Sequence, residues 1–464
     1  MFRPKGTTIV GLVVALTIIA PFVRPQDAKQ SEREADALVA WAAKKAIPIT
    51  TTEPGRGFND LQPLKKIIGK ARVVALGESL HGVHEFYQVR HRLLEFLVEE
   101  MGFTAFAMET GFAEAVKIND YVLGRVDEPE RWQHNWFTWG FGNEQELLAL
   151  VRWMRRYNEN PQHTRKLHFY GIDVAVSYSS PLAAIEGALT YLDKVDPDYA
   201  AFARRQSVLP LVGKFLGSGG GDEFRNISLN KYKKLSVEER NAYTAAIADL
   251  VSRFETVRVD YIRRSSEDEY EWAYHYAIAA RQLDTAYRAA AATAKAEQEQ
   301  SWWLEPAVGT ARDRAMADNV LWALEREGPA GRIVVWAHNS HIMKARTPQA
   351  GPRLGLFLDS MLRRDYVNIG FTFYQGAKSG WASYQTGVGE PAKPGTLDAE
   401  LARVGLPIFI VDLRRLPKEG PVFEWLNQTR TMRESTPEYD MQLNPIKAWD
   451  AIFYIHSISP AQEK

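Results

Sequence analysis

Seven short apolar runs are the feature that most constrains the fold of this chain. The first four have continuous apolar cores, without the alternation that marks a half-exposed strand. Continuous cores are typical of strands that helices cover on both faces, as in parallel or mixed sheets. The pattern therefore predicts a central sheet sandwiched between helices. The seven predicted strands span residues 71–78, 103–110, 166–174, 332–339, 367–374, 407–413 and 451–457.

Helical patterns separate these strands. After the first strand, apolar residues recur at helical spacing from Phe86 to Met101, and Gly102 is placed to end the helix. Residues 178–300 carry no strand signal and are rich in Ala, Arg, Glu and Tyr. We therefore expect an α/β fold, with a central parallel or mixed sheet flanked by helices and a helical insertion between its two halves. The expected division is 31–177 for the first half of the α/β domain, 178–300 for the insertion and 301–464 for the second half.

The composition excludes several classes of function. The 464 residues include 57 basic and 57 acidic side chains, so no basic excess favours a nucleic-acid partner. The chain has no cysteine, which excludes thiol catalysis, disulfides, zinc–thiolate sites and iron–sulfur clusters.

Residues 1–25 have the pattern of a signal peptide. Arg3 and Lys5 precede an apolar run at residues 9–23, and a polar, proline-containing stretch follows it. The same run would serve as a membrane anchor if it were not cleaved. We therefore expect the body of the protein to be periplasmic or secreted, with membrane contact only through this segment.

Titratable side chains follow three of the predicted strands where each strand ends. The first strand runs into Glu78 and His81, the second ends at Glu109, and the fourth runs into His338 and His341. In open α/β sheets, ligands bind outside the carboxyl ends of the strands. We therefore expect these five side chains to meet at one edge of the sheet and to form an active site.

Arg90 belongs to the same hypothesis. On a helical wheel it falls within the apolar stripe formed by Phe86, Leu93 and Leu97. An unpaired charge on a buried face is costly, so the guanidinium needs acidic partners. Glu78 and Glu109 are the expected partners, because both follow neighbouring strands.

The residues alone leave three other hypotheses open. Ser79 could be a nucleophile, although His81 occupies the place of the final glycine in a Gly-x-Ser-x-Gly elbow. The histidines and glutamates could instead bind Zn²⁺ or Mn²⁺ and activate water as a metallohydrolase. A non-catalytic carrier for an apolar ligand would explain the 13 tryptophans and the signal peptide, but it would not explain Arg90 beside two carboxylates.

The motifs resemble those of the erythromycin esterase family. The resemblance rests on "GESLHGVHEFYQVRHRLLEFLVEEMGFTAFAMETGF", "WFTWGFGNEQELLALVRWMRRYN", "FYGIDV", "ARDRAMADNVLWAL" and "VVWAHNSHI", in this order. It runs from about residue 61 onward and is thin in the helical insertion and after residue 374. The resemblance implies an α/β fold with a helical insertion covering the active-site cleft. It implies a hydrolase that works without a metal or another cofactor and opens the lactone ester of 14-membered macrolides. It also implies the roles of six residues: His81 as general base, Glu78 and Glu109 as supporting carboxylates, Arg90 as the family's arginine, and His338 and His341 as its downstream histidine pair.

Ester hydrolysis suits this set of side chains. A neutral imidazole is the natural base near pH 7, and Glu78 or Glu109 would orient His81. Arg90, His338 or backbone N–H groups near Gly82 would meet the developing oxyanion. The expected partner is a small-molecule ester, and the sequence leaves the oligomeric state open. Three tryptophans and the helical insertion would supply apolar walls for a bulky substrate: Trp132, Trp136 and Trp139.

Overall fold

The computed structural model describes residues 25–132, 136–176, 178–216, 227–293, 306–346, 351–377, 389–434 and 440–462. The predicted signal or anchor run at residues 9–23 and the last residues of the predicted insertion lie outside these ranges. Within them, no helix is both long and apolar enough to cross a membrane.

The strands of the described residues are β1 Ile47–Pro48, β2 Val73–Leu76, β3 Ala105–Gly111, β4 His168–Asp173, β5 Ile333–Trp336, β6 Tyr366–Gly376, β7 Ile408–Asp412, β8 Arg430–Met432, β9 Met441–Leu443 and β10 Ala451–Ile458. Eight of these strands form one mixed sheet at the centre of the protein, in the order β1-β7-β10-β6-β2-β5-β3-β4. Six neighbouring strands from β10 to β4 run parallel, and β7 pairs antiparallel with both β10 and β1. All seven predicted strands belong to this sheet, while the short β1 and the hairpin β8–β9 were not predicted.

Helices connect and cover the strands. The helix after β2 ends at Gly102, whose φ of +70° is the left-handed C-cap conformation that glycine adopts without strain. The helices are α1 Pro25–Lys45, α2 Leu64–Ile68, α3 His84–Met101, α4 Phe112–Val122, α5 Gln145–Glu159, α6 Pro181–Val195, α7 Pro197–Gln206, α8 Val208–Gly213, α9 Ile227–Lys234, α10 Val237–Arg264, α11 Glu267–Ala292, α12 Pro306–Arg326, α13 Asn339–Ile342, α14 Leu354–Leu362, α15 Leu397–Ala402, α16 Pro421–Leu426 and α17 Pro445–Ala448.

The continuous apolar runs are explained by burial of both sheet faces. In β2, Val74 and Leu76 join the core beneath α3 and α5, while Val73 and Ala75 join the core beneath α12 and α14. Strands β3 and β5 divide their side chains between the same two cores. A strand with two buried faces has no polar positions to alternate with apolar ones.

Helices α6–α11 follow β4 and form a third core of their own. This helical block packs on α4 and α12, the helices that follow β3 and precede β5. It therefore stands beside the carboxyl ends of β3 and β4. The α/β fold with a mixed sheet flanked by helices is confirmed. The covering of the active-site cleft by the insertion and the predicted domain bounds stay predictions.

Candidate active site

Four adjacent strands deliver polar side chains to one edge of the sheet. The spatial order β2-β5-β3-β4 places Glu78, His338, Glu109 and Asp173 in a row, each at or just beyond a carboxyl end. Neighbouring strands lie about 4.8 Å apart, so adjacent side chains of the row can contact one another. The β3–β4 register shifts between Met108 and Gly111, the irregularity that contains Glu109. Such bulges re-aim side chains and are frequent next to active sites.

His81, Glu78 and Arg90 form a hydrogen-bonded chain at the end of β2. His81 Nδ1 lies 2.6 Å from Glu78 Oε1, and Arg90 Nη2 donates to Glu78 Oε2 at 2.5 Å. Arg90 also donates from Nε to the carbonyl of Phe86, and its guanidinium lies 3.5 Å from the ring centroid of Trp336. The His81 side chain is 15% exposed, whereas those of Glu78 and Arg90 are buried. Of these three side chains, only the imidazole of His81 faces the surface.

The pKa of Glu78 follows from these contacts. Burial alone would raise it, but the charge of Arg90 and the hydrogen bonds from Arg90 and His81 outweigh burial and lower it to about 2. Glu78 is therefore an anion throughout the physiological range. An anion on Nδ1 fixes the proton of His81 on that nitrogen and leaves the lone pair on Nε2.

Close backbone packing fixes the turn that carries His81. A Cβ on Gly77 would lie 2.1 Å from Asn339 Oδ1, so only glycine allows this approach. Asn339 donates its backbone N–H to the Glu78 carbonyl at 2.7 Å and bonds both backbone groups of Phe371 through its side chain. Gly82 adopts a φ of +72° before α3 begins. The loops after β2 and β5 are therefore locked together.

Arg312, on α12, binds the carboxylates at the ends of β3 and β4. Its Nη2 donates to Glu109 Oε1 and to Asp173 Oδ2, both at 2.7 Å, and its Nε donates to Asp173 Oδ1 at 2.8 Å. Glu109 Oε2 also accepts the backbone N–H of His338 at 2.9 Å. Glu109 is therefore fixed at both oxygens.

His341 links Glu109 to Asp313. Its Nδ1 lies 2.7 Å from Asp313 Oδ1, and its Nε2 lies 3.2 Å from Glu109 Oε1. Arg353 Nη1 donates to the second oxygen of Asp313 at 3.0 Å. Burial alone would lower the pKa of His341, but the charges of Asp313 and Glu109 raise it to about 9. His341 is therefore an imidazolium at neutral pH, and Arg312 Nη1, 3.1 Å from its Nε2, is a neighbour and not a hydrogen-bond partner.

The buried charges of this cluster balance when His341 is protonated. The pKa of Glu109 lies well below its usual range, because His341 and Arg312 outweigh the effect of burial. Four carboxylates then face three guanidiniums and one imidazolium. These are Glu78, Glu109, Asp173 and Asp313 against Arg90, Arg312, Arg353 and His341.

His338 lies against His81 on the open side of the cluster. The two ring centroids are 5.1 Å apart, and the ring of Phe141 lies 5.5 Å from that of His81. His338 Nδ1 lies 3.0 Å from Glu434 Oε1 and 3.0 Å from Ser340 Oγ. The structure therefore brings all six predicted site residues to one edge of the sheet.

Two sequence-based expectations are corrected by these contacts. Glu109 pairs with Arg312 and not with Arg90, because β5 lies between β2 and β3 and separates Glu109 from Arg90. Arg90 also lies wholly buried behind Glu78, so it cannot reach a substrate carbonyl as an oxyanion donor. Its position instead supports the anionic state and orientation of Glu78.

Of the tryptophans predicted to line the substrate pocket, Trp132 lies in the core and Trp139 lies at the site. Trp132 is buried against Tyr121 in the core. Trp139 donates its Nε1–H to Asp173 at 2.8 Å, and the Arg312 guanidinium lies 5.0 Å from its ring centroid. The φ of Trp139 is +62°, a strained conformation for a bulky residue, and such strain persists where the surroundings hold it.

Ser79 does not have the surroundings of an activated nucleophile. Its hydroxyl is buried and has no hydrogen bond to any residue that the structure describes. A nucleophilic serine needs a base within hydrogen-bonding distance. In the same ranges, no group of three or more His, Asp and Glu side chains is arranged to hold a metal ion. The carboxylates are engaged by arginines and histidines instead.

Sequence reasoning missed Asp173, Arg312, Asp313 and Glu434. Asp173 carried the signal used for Glu109, a carboxylate at the end of a strand. Arg312 carried the signal used for Arg90, since it lies four residues from Met316 on the buried face of α12. Glu434 follows β8 and carried no comparable signal.

Comparisons with known proteins agree with this geometry. The sequence model of the erythromycin esterase family matches residues 98–458. Erythromycin esterase type II of Escherichia coli is 29% identical over 438 residues, which cover 91% of this chain and 98% of that relative. A solved structure of a Bacillus cereus protein is 26% identical with a TM-score of 0.76, and the match covers 93% of this chain and 99% of that one. An erythromycin esterase variant solved in its open conformation shares the fold, with a TM-score of 0.69 at 18% identity over 90% of this chain and 98% of that one. The chain belongs to the erythromycin esterase family of hydrolases.

Proposed function

We propose that this protein hydrolyses a carboxylic ester, with His81 as the general base that activates a water molecule. The observation that carries the proposal is the chain of His81, Glu78 and Arg90 at the end of β2. A fixed carboxylate on one nitrogen of an imidazole leaves the other nitrogen to take a proton and stabilises the imidazolium that forms. General base catalysis by such a group contributes about 10²–10⁴-fold to a rate.

The surrounding charges suit the same reaction. His341 is held as a cation beside Glu109, and Glu109 in turn accepts the backbone N–H of His338. The site therefore carries a positive charge on His341 close to His338 and Glu109, and positive charge is what stabilises a developing oxyanion. The Arg90 guanidinium supports Glu78 from behind without entering the site.

A macrolide lactone is the proposed ester. The name of the Escherichia coli relative, erythromycin esterase type II, supports this substrate class for a chain that shares 29% of its residues. Trp139 and Phe141 place aromatic surface beside Arg312 and His81, and aromatic walls suit a bulky apolar ring.

Turnover of an ester panel tests the proposal. Purified full-length protein is incubated with 14-membered macrolides and simple aryl esters, and mass spectrometry follows the gain of one water per molecule. We expect at least one macrolide to gain water, and we expect the matched variant Ser79→Ala to retain this turnover. A ligand that co-purifies unchanged, with no ester turned over, would instead support the carrier hypothesis.

A further inference from the structure

Glu434 brings a negative charge to His338 from a distant part of the chain. Glu434 Oε1 lies 3.0 Å from His338 Nδ1, and the side chains of both residues are nearly buried. A carboxylate can only accept a hydrogen bond, so Nδ1 must carry a proton. Ser340 Oγ is also 3.0 Å from this nitrogen, and the backbone N–H of Ser340 approaches it at 3.5 Å, a longer contact than that with Glu434.

Neighbouring contacts fix the position of Glu434. The preceding residue, Arg433, is buried and donates to the carbonyls of Tyr374 and Glu390 at 2.6 Å each. The backbone N–H of Arg433 donates to Asp398 at 2.9 Å. Glu434 is therefore held against His338 by contacts that involve neither His338 nor any other site residue.

Among the described residues, His338 is the basic group that pairs with Glu434. Across the described ranges, no lysine or arginine forms an ion pair with Glu434. A nearly buried carboxylate without another counter-charge favours the protonated form of the imidazole beside it. Glu78 and Glu109 add further negative charge near the ring, and His81 is the titratable group whose ring faces His338. Burial alone would lower the pKa of His338, but Glu434 leads the contributions that raise it.

The two facing histidines therefore differ in their surroundings. Glu78 is shared between His81 and Arg90, so Arg90 neutralises much of its charge. Glu434 contacts His338, and no arginine among the described residues forms an ion pair with Glu434. Because Glu434 occupies Nδ1 of His338, Nε2 lies on the opposite side of the ring and is not hydrogen-bonded to any described residue. The two rings therefore have different charged neighbours, the kind of arrangement in which one group can serve as acid and the other as base.

We propose that Glu434 is a positioning residue that holds His338 as an imidazolium, so that His338 is the general acid opposite the general base His81. The proposal rests on the proposed ester hydrolysis. A bond forms between the water oxygen and the ester carbon as His81 Nε2 takes the water proton. The carbon–oxygen ester bond then breaks as His338 Nε2 gives its proton to the departing alkoxide. The products are an acid and an alcohol, and transfer of one proton from His81 to His338 restores both rings.

Histidine titration tests this assignment without requiring turnover. The full chain is labelled with ¹³C-histidine, and the resonance of His338 is assigned by its loss in His338→Gln. We expect Glu434→Gln to lower the titration midpoint of His338 by about one pH unit or more, because the opposite charge is removed. The matched control Ser340→Ala removes the neutral contact to the same nitrogen and should shift the midpoint less. An unchanged midpoint in Glu434→Gln would overturn the proposal.

The pH dependence of kcat/KM gives a second readout. We expect a bell-shaped profile whose basic limb moves to lower pH in Glu434→Gln and returns toward its original position in Glu434→Asp. A basic limb that stays in place while the midpoint of His338 moves would remove His338 from the acid role.

If the wild-type protein turns over no ester, the proposed function fails, while the titration still decides whether Glu434 controls the protonation of His338. If Glu434→Gln does not fold, Glu434→Ala replaces it, because it also removes the charge, and an unshifted midpoint there would count against the proposal.

Discussion

Replacing Arg90 by methionine tests the electrostatic design of the site. Methionine fills much of the volume of the arginine side chain, so the change removes the charge with little cavity. Glu78 would then keep His81 but lose its 2.5 Å contact with the guanidinium. We expect Arg90→Met to be less stable than the wild type and to have little activity, because His81 would lose the fixed anion that orients it.

The size of the stability loss follows from the pKa of Glu78. The pKa is lowered from 4.5 to about 2 although burial alone would raise it. Each pKa unit corresponds to about 1.4 kcal/mol, so the ionised form of Glu78 is stabilised by about 3 kcal/mol net of burial. Removing one partner of a buried ion pair costs about 3–5 kcal/mol, which agrees with this value. For a chain of 464 residues, the entropy of unfolding is about 1 kcal/mol per degree, so the melting temperature should fall by about 3–5 °C.

Calorimetric unfolding at several pH values measures this effect. The folded-state pKa of Glu78 is depressed, so its contribution is fully present above about pH 4.5 and is lost as the pH falls toward about 2. The difference between wild type and Arg90→Met should therefore be largest near pH 7 and should shrink below about pH 4.5. The double variant Arg90→Met with Glu78→Gln should regain part of the lost stability, because it removes the unpaired charge. A melting temperature within about 1 °C of wild type at pH 7, or a difference independent of pH, would refute the reasoning.

Three further predictions concern Arg312, the effect of a chelator and the N-terminal segment. Arg312→Lys keeps the charge but loses the fork that bonds Glu109 and Asp173, so calorimetry should show a loss of about 2 kcal/mol; wild-type stability would contradict that account. EDTA should leave ester turnover unchanged, because arginines and histidines already engage the site carboxylates; inhibition that Zn²⁺ or Mn²⁺ reverses would support a metallohydrolase. We propose that residues 1–25 direct export, so fractionation of a bacterial host should find the protein in the periplasm or the membrane; full-length protein with intact residues 1–25 in the cytosol would rule this out.

Local sequence patterns predicted the strands because burial on both faces leaves a recognisable apolar run. The same reasoning located Glu78, His81, Glu109, His338 and His341, since side chains that follow parallel strands must meet at one edge. Which carboxylate pairs with which cation could not be predicted in this way. Pairing depends on the spatial order of the strands, and β5 enters the sheet between β2 and β3 although it comes much later in the chain.

Glu434 shows where sequence patterns stop being informative. It lies on an irregular stretch after β8, and its position depends on the tertiary contacts of Arg433 with β6 and with the carbonyl of Glu390. No periodicity marks such a residue. Asp173 and Arg312, in contrast, carried signals that had already been used for Glu109 and Arg90, so the same rules applied to every strand and helix would have found them.

Turnover by His81→Ala tests the central claim most directly. The variant is compared with wild type on the best ester of the panel at pH 7, and both proteins are unfolded in the calorimeter. We predict that kcat/KM falls by about 10²–10⁴-fold, while the melting temperature changes little, because the His81 side chain is partly exposed. Turnover at the wild-type rate by a folded His81→Ala protein would contradict the account and remove His81 from the reaction.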